Sequence, residues 1–424
     1  MIDIILSVLK ENNINEYIVS KTIEESIELY LIKKDLDMNR KKNITQYEVK
    51  LFKEFSEGDI RYKGDSRIKI YESMDKHEIE EVIKSASYAA SFVKNKIYKL
   101  PKGYFGEKKI KESKLLNLSL EDIALKVKNA LYKYDNFEKG FINSSEIFVT
   151  KIDKRIISSN GTDASYIRCS INGEFITQWI EKQDVEIYNS FNYDELLEED
   201  LALKAKEAII ITGYRARSEN APKNGIYDVI LVEDSVKEFF KYYSENALTE
   251  MVYQKYSNFN VNDKVQGRKI KGDKLNITLT SIVPFSNEGI ELKDRVLIED
   301  GVSKTFYGSY KFADYLGVEP VGDYKAVKIK GGKTSEDDMF EENNLKILRF
   351  SDFQMDTLTG DFSGEIRLAL LKCGDKFIPL TGGSLSANIK DVQEKLSLSK
   401  ELQEDGANEM PSQIKLKNVK IAGL

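Results

Sequence analysis

L-K-I-L-R-F-S-D-F at 345–353 and G-E-I-R-L-A-L-L-K-C-G at 364–374 read as two strands, with T-G-D-F-S-G at 359–364 turning between them. The reading extends to both sides. K-L-N-I-T-L-T-S-I-V (274–283), D-R-V-L-I-E-D-G (294–301), Y-K-A-V-K-I-K-G-G (324–332) and I-K-L-K-N-V-K-I-A-G (414–423) are further strands, and only short helical pieces interrupt them near 309–316, 335–341 and 389–396. Upstream, an aromatic-rich helix is expected at about 234–256. Its F-F-K-Y-Y at 239–243 puts aromatics all around, as in a helix buried between layers.

Before about residue 220 helices and strands mix. A helix over 2–11 precedes E-Y-I-V-S-K-T, S-I-E-L-Y-L-I-K-K-D and T-Q-Y-E-V-K-L-F-K-E-F, which alternate as half-buried strands with a turn at K-K-N, 41–43. Asp75 and Glu78 form a capping-box start for a helix near 76–95, with Ile79, Val82, Ala86, Ala89 and Val93 on one face. The stretch 98–109, with Pro101 and two glycines, reads as a linker. Ser119 and Asp122 then start a second helix, followed by a meander over about 144–191 and a helix over about 193–215. Asn160-Gly161 and Asn172-Gly173 are hairpin-turn signals. The order helix, strands, helix occurs twice, as a duplicated unit would show.

The fold class expected is therefore α+β, with a mainly antiparallel β-rich C-terminal half. The expected units are 1–105, 106–220 and 221–424.

Composition narrows the function. Of 424 residues, 41% are hydrophobic and 32% charged, with 64 Lys+Arg against 70 Asp+Glu and a net charge of -6. That balance, without a dense basic cluster, argues against nucleic acid as a partner. No run approaches the ~18 apolar residues of a membrane span. The N-terminal stretch lacks the features of a signal peptide, and Cys169 and Cys373 are too few for a disulfide framework; both point to the cytoplasm.

His77 is the only histidine and falls in the first turn of a helix, where an exposed surface role is expected. Histidine-rich zinc sites and triads that avoid His77 are excluded. Cys169 reads as a packed thiol within a strand, and Cys373 as part of a turn. S-E-D-D-M-F-E-E-N-N at 335–344 lacks the spacing of a calcium loop and reads as a short helix capped by Ser335. The Gly-Gly pairs at 331–332 and 382–383 lack the Lys-Ser/Thr of a phosphate loop. No residue is assigned as catalytic, and neither metal nor cofactor is expected.

An ordered series of segments resembles the TldD/PmbA family, described as modulators of DNA gyrase and as peptidase-related. It comprises E-I-E-E-V-I-K-S-A-S-Y-A-A-S-F (78–92), I-S-S-N-G-T-D-A-S-Y (157–166), A-K-E-A-I-I-I-T-G-Y-R-A (205–216) and G-I-Y-D-V-I-L-V (225–232). F-S-N-E-G (285–289), R-V-L-I-E-D-G (295–301), G-S-Y-K-F-A-D-Y-L-G (308–317), T-G-D-F-S-G (359–364), S-L-S-A-N (384–388) and M-P-S-Q-I-K-L-K-N-V-K-I-A-G (410–423) continue it. The TldD branch carries H-E-x-x-x-H on the helix after the opening C-terminal strand, and a later cysteine. Here that helix reads D-S-V-K-E-F-F-K-Y-Y-S. Its two histidine slots fall on Lys237 and Tyr242, with Glu238 between them, and E-D-G-A-N-E-M-P holds no cysteine.

The resemblance thus implies the PmbA (TldE) branch: a non-catalytic subunit partnered by a TldD-like zinc peptidase and acting on unfolded or modified peptides. It implies Asp361, Phe362, Ser363 and Asn388 as pieces of a substrate or partner cleft; turn geometry alone is the alternative for each. Two other readings stay open: a stand-alone homodimeric binding or regulatory protein, and a hydrolase built on Glu238. The chain departs from the family at Ser286 and Asn287, where relatives tend to carry acids, and around Ile60-Arg61.

Overall fold

A computed structural model describes residues 1–110 and 113–423. Among them the first sheet takes strands β1 (Glu16–Ile32), β2 (Asp35–Glu57), β3 (Ile60–Ile70), β4 (Phe105–Ile110), β5 (Gly140–Ser158), β6 (Asp163–Ile180) and β7 (Asp184–Tyr193). The order is β3-β2-β1-β5-β6-β4, and β7 also pairs with β6. Helices α1 (Ile2–Glu11), α2 (Lys76–Ala90), α3 (Leu120–Leu131) and α4 (Glu198–Arg217) accompany it.

Side-chain alternation explains the layering. In β1, β2, β5, β6 and β7 the helix-facing side chains are mainly odd-numbered: Val19, Val49 and Leu51 cluster with Ile5, Leu9, Ile79 and Ile83 of α1 and α2. Ile27, Leu29, Val149, Ile171 and Phe191 do the same with α3 and α4. The even-numbered face carries no helix of this set. Because β1 pairs with β5 from Ile18–Ser158 to Ile32–Ser144, the units expected at 1–105 and 106–220 share this one sheet.

Both helix starts read from the sequence are present. Asp75 accepts from the Glu78 backbone N–H while the Glu78 carboxylate accepts from Asp75, and Ser119 accepts from the Asp122 N–H. Helix α2 ends at Ala90, and its buried face is Ile79, Ile83, Ala86 and Ala90.

Three turn expectations are corrected. K-K-N at 41–43 lies inside β2, which turns from β1 at Lys33 (φ 54). This part of β2 is mostly exposed on both faces, so its composition is that of a loop although its backbone pairs with β1. Asn172-Gly173 lies inside β6, and the strand pair reverses after Ile180 instead. Gly173 serves packing: a Cβ there would stand 2.5 Å from the Phe191 ring and 2.4 Å from the Glu146 carbonyl oxygen. Part of the expected linker is strand β4, which runs parallel to β6.

The open face contains Glu28, only 4% exposed, against Lys42, Arg40 at 3.4 Å and the Tyr30 hydroxyl at 2.9 Å. The hydrogen bond from Lys42 holds its carboxyl below the ordinary range, against the opposing effect of burial. A depressed carboxylate adds stability above its unfolded pKa, and that stability is lost as pH falls through the folded value. Glu28→Gln should therefore flatten the loss of stability on acidification from about pH 5 to pH 3. Denaturation midpoints across that range check this; identical profiles would reject it.

The remaining chain begins with β8 (Gly225–Val232), α5 (Asp234–Asn246) and α6 (Thr249–Tyr253). Strands β9 (Ile277–Thr280), β10 (Arg295–Glu299) and β11 (Val302–Ser303), helix α7 (Tyr310–Leu316), β12 (Ala326–Ile329) and α8 (Glu336–Met339) follow. Next come β13 (Leu345–Met355), β14 (Asp361–Cys373), β15 (Lys376–Leu380), β16 (Ser384–Asn388) and α9 (Ile389–Val392), then β17 (Ser397–Leu398), β18 (Leu402–Asp405), β19 (Asn408–Pro411) and β20 (Gln413–Ala422).

They form a six-stranded sheet, β11-β10-β9-β12-β19-β18, and a seven-stranded one, β13-β8-β20-β16-β14-β15, with β17 on β20. β13 pairs with both β8 and β14, so that five strands close into a ring. The pairings are antiparallel except β8–β13 and β12–β19. Mixed α+β with mainly antiparallel sheets is the expected fold class. Helix α5 lies between the two sheets, with Phe239, Phe240, Tyr242 and Tyr243 buried in their common core. No described helix is long and apolar enough to cross a membrane.

Candidate functional site

A cavity of about 720 Å³ opens between the two halves where the edge strand β7 faces β13, the start of α5 and β18. Hydrogen bonding in a strand alternates from side to side, and each residue directs its N–H and C=O the same way. The Arg367 guanidinium donates to the Glu186 carbonyl at 2.7 Å, and the Gly406 N–H donates to the Asn192 carbonyl at 2.7 Å. Tyr188 and Ser190, between these two ties, therefore turn their backbone groups toward the cavity that they line.

The wall opposite is held rigidly. Glu233, at the start of α5, has φ 50, a left-handed conformation unusual for a residue with a side chain. Its carboxylate pairs with Arg349 at 2.9 Å, and its carbonyl accepts from Gln403 Nε2 at 3.1 Å. Arg349 also donates to Asn189 Oδ1 at 3.2 Å, and Asn189 is buried with its amide donating to Thr177 Oγ1 and the Ile187 carbonyl. One chain of polar contacts thus joins β6, β7, β13 and α5. Carboxylates outnumber cationic side chains around the cavity.

The three positions resembling the zinc motif separate. Lys237 forms an ion pair with Asp405. Glu238 lines the cavity, accepts from the Met355 N–H at 3.4 Å and has Lys241 3.6 Å away. Tyr242 is 8% exposed and packs edge-on against Tyr243 and Phe259, and burial raises its hydroxyl pKa. No group of three or more His, Cys, Asp or Glu among the described residues is arranged to hold a metal ion. His77 is exposed, Cys169 is buried and Cys373 is exposed. Burial pushes the Cys169 thiol up to about 11, which removes thiolate character at neutral pH.

Asp361, Phe362, Ser363 and Asn388 come together at a second, open depression of about 610 Å³. β14 and β16 place Asp361 opposite Asn388, and Asn388 Nδ2 donates to Asp361 Oδ1 at 2.8 Å and to the Thr359 carbonyl at 3.1 Å. Asn388 Oδ1 also accepts from the Lys390 N–H and caps α9. Phe362 is 2% exposed, its ring edge-on to Phe239 at 5.5 Å, so its side chain belongs to the core. Ser363 is exposed. Gly360 has φ +80, and a Cβ there would press on Ile389 at 2.8 Å, so turn geometry accounts for that position.

Sequence reasoning missed Glu233, Arg349, Asn189 and Arg367. No local motif joins them; they meet only because β7 and β13 face each other.

Residues 224–423 match the family model described as the PmbA/TldA metallopeptidase C-terminal domain. No curated protein matches the sequence. The fold is similar to the crystal structure of TldE from Thermococcus kodakarensis, at 16% identity and TM-score 0.80, over 99% of this chain and 100% of that one. It is similar to a protein from Thermotoga maritima described as a candidate modulator of a DNA gyrase, at 16% identity and TM-score 0.77, over 99% of each chain. A Bacteroides thetaiotaomicron protein with the corresponding description has 18% identity and TM-score 0.78, over 100% of this chain and 98% of that one. Residues 224–423 thus match the C-terminal domain of the PmbA/TldA metallopeptidase family, and the chain shares its fold along its whole length with TldE and the two other proteins.

Proposed function

We propose that the chain is the non-catalytic, TldE-like subunit of a two-component peptidase and works with a TldD-type zinc subunit on unfolded or modified peptides. The observation that carries this reading is the pairing of Lys237 with Asp405. At the two positions where the zinc-bearing branch offers imidazole, this chain offers an ammonium, neutralised by the β18 carboxylate, and a buried phenol. A protonated lysine has no lone pair for zinc.

The cleft beside this pair suits a peptide in extended form. The backbone groups of Tyr188 and Ser190 offer strand-like pairing, which is sequence-tolerant, as unfolded substrates require. The β-rich region 221–424 would then supply the partner-facing half of the cleft, with Asp361, Ser363 and Asn388 at its margin.

Mixing tests the reading. The isolated protein should hold no stoichiometric zinc and cleave no peptide. With a TldD-type subunit it should form a complex that degrades unstructured peptides and stops on chelation. Cleavage by this chain alone, insensitive to chelators, would overturn the proposal; a stable homodimer that binds no H-E-x-x-x-H protein would favour the binding-protein reading.

A further inference from the structure

We propose that the polar pocket where the 285–289 turn meets the open face of the first sheet binds a small oxoanion, a carboxylate or phosphate group, with Lys154 as its principal cation. The pocket has a volume of about 220 Å³ and is independent of the cleft described above. Strand register builds it. Thr22 lies beside Lys154 on one side and Gln46 on the other; Ser20 stands opposite Glu48, and Ile18 opposite Lys50, which in turn faces Arg67. Hydroxyl, amide and cationic groups thus share the sheet face turned away from the helices, and the turn closes over them with Asn287.

The charges around the pocket do not balance. Lys50, Arg67 and Lys154 line it, with Glu48 as the one lining carboxylate. Glu48 is engaged by Arg67 at 3.4 Å, and Lys50 has Asp65 at 3.8 Å. Lys154 donates to the neutral Asn287 Oδ1 at 2.6 Å, and among the described residues no carboxylate stands within ion-pair distance of its ammonium. Burial lowers the Lys154 pKa, with Glu48 raising it in part and Arg67 adding a smaller repulsion. A partly desolvated cation with only an amide partner gains more from an incoming anion than an exposed one does.

Asn287 is the pivotal residue. An acid in its place would pair with Lys154 within the chain. The turn is also firmly seated. Ser286 Oγ accepts from the Glu288 and Ile290 N–H groups, Glu288 accepts from the Tyr310 N–H at 2.7 Å, and Phe285 packs on Ile18, Phe52 and Ile156. The anion would enter a formed site.

Equilibrium dialysis of the full chain against inorganic phosphate and against acetate, at constant ionic strength in chloride, tests the assignment. One saturable site per chain is expected for at least one probe; phosphate binding alone identifies a phosphoryl ligand, and acetate binding a carboxylate. Asn287→Asp, which supplies an internal carboxylate, and Lys154→Met should each weaken binding about tenfold or more, while Lys154→Arg should retain it. Asn287→Asp should also raise the thermal midpoint. Circular dichroism confirms folding, and if Asn287→Asp fails to fold, the Lys154 pair decides. No saturable binding of either probe, or affinity unchanged in the folded variants, overturns the proposal.

Discussion

Truncating Phe239 to alanine is expected to destabilise the β-rich half by about 3–5 kcal/mol. The side chain is fully buried on α5, edge-on to Phe240 at 5.5 Å and to Phe362 of β14 at 5.5 Å. Removing it leaves a cavity between α5 and the ring of strands, and the neighbouring strands are hydrogen-bonded too well to close it. Phe239→Leu should lose clearly less, because most of the volume remains. Denaturant unfolding followed by fluorescence measures both. A loss below about 1 kcal/mol for the alanine variant would mean that α5 is not packed as described. The consequence reaches the site, since Lys237 and Glu238 stand on the same helix and keep their places only while its aromatic face is anchored.

Replacing Lys63 by alanine is expected to cost about 2–4 kcal/mol. Its side chain is 1% exposed, yet its ammonium donates to the Tyr98 carbonyl at 3.0 Å and pairs with Glu16 at 2.5 Å. It also lies over the rings of Phe52 and Tyr98 at 5.7 and 5.1 Å. Lys63 thereby ties the segment after α2 to the first sheet, so the alanine variant should expose residues 95–105 to proteolysis. Lys63→Met, which keeps the aromatic packing, should fall between wild type and alanine.

Burial pushes the Tyr98 hydroxyl well above the ordinary tyrosine range. A raised acid stabilises the fold below its unfolded pKa, and that contribution is lost as pH rises above about 10. Unfolding midpoints measured between pH 8 and pH 11 on both sides of about 10 should show that fall; a flat profile would reject it.

Much of the architecture was legible. The capping box at Asp75, the Ser119 cap, the aromatic belt at 239–243 and the serial strands after 270 are local signals: each depends on residues a few positions apart, which the chain itself places. The errors were local as well. The exposed β2 stretch around 41–43 carries no apolar alternation because neither face is covered, and its strand state comes from pairing with β1. Gly173 reads as a turn residue until Phe191 is seen pressing on it from the neighbouring strand.

By itself the sequence determined the α+β class and the mainly antiparallel second half. These are properties of residue type and near-neighbour spacing. The tertiary structure alone decided that the first two expected units share a sheet, that Lys237 finds Asp405, that Phe362 turns into the core, and that β7 and β13 enclose a cleft through Asn189, Arg349 and Glu233. It likewise brought Asn287 onto Lys154. Pairs separated by more than a hundred residues, such as Asn189–Arg349, Lys237–Asp405 and Lys154–Asn287, meet through strand order and register, and no local pattern encodes which distant strand lies beside which.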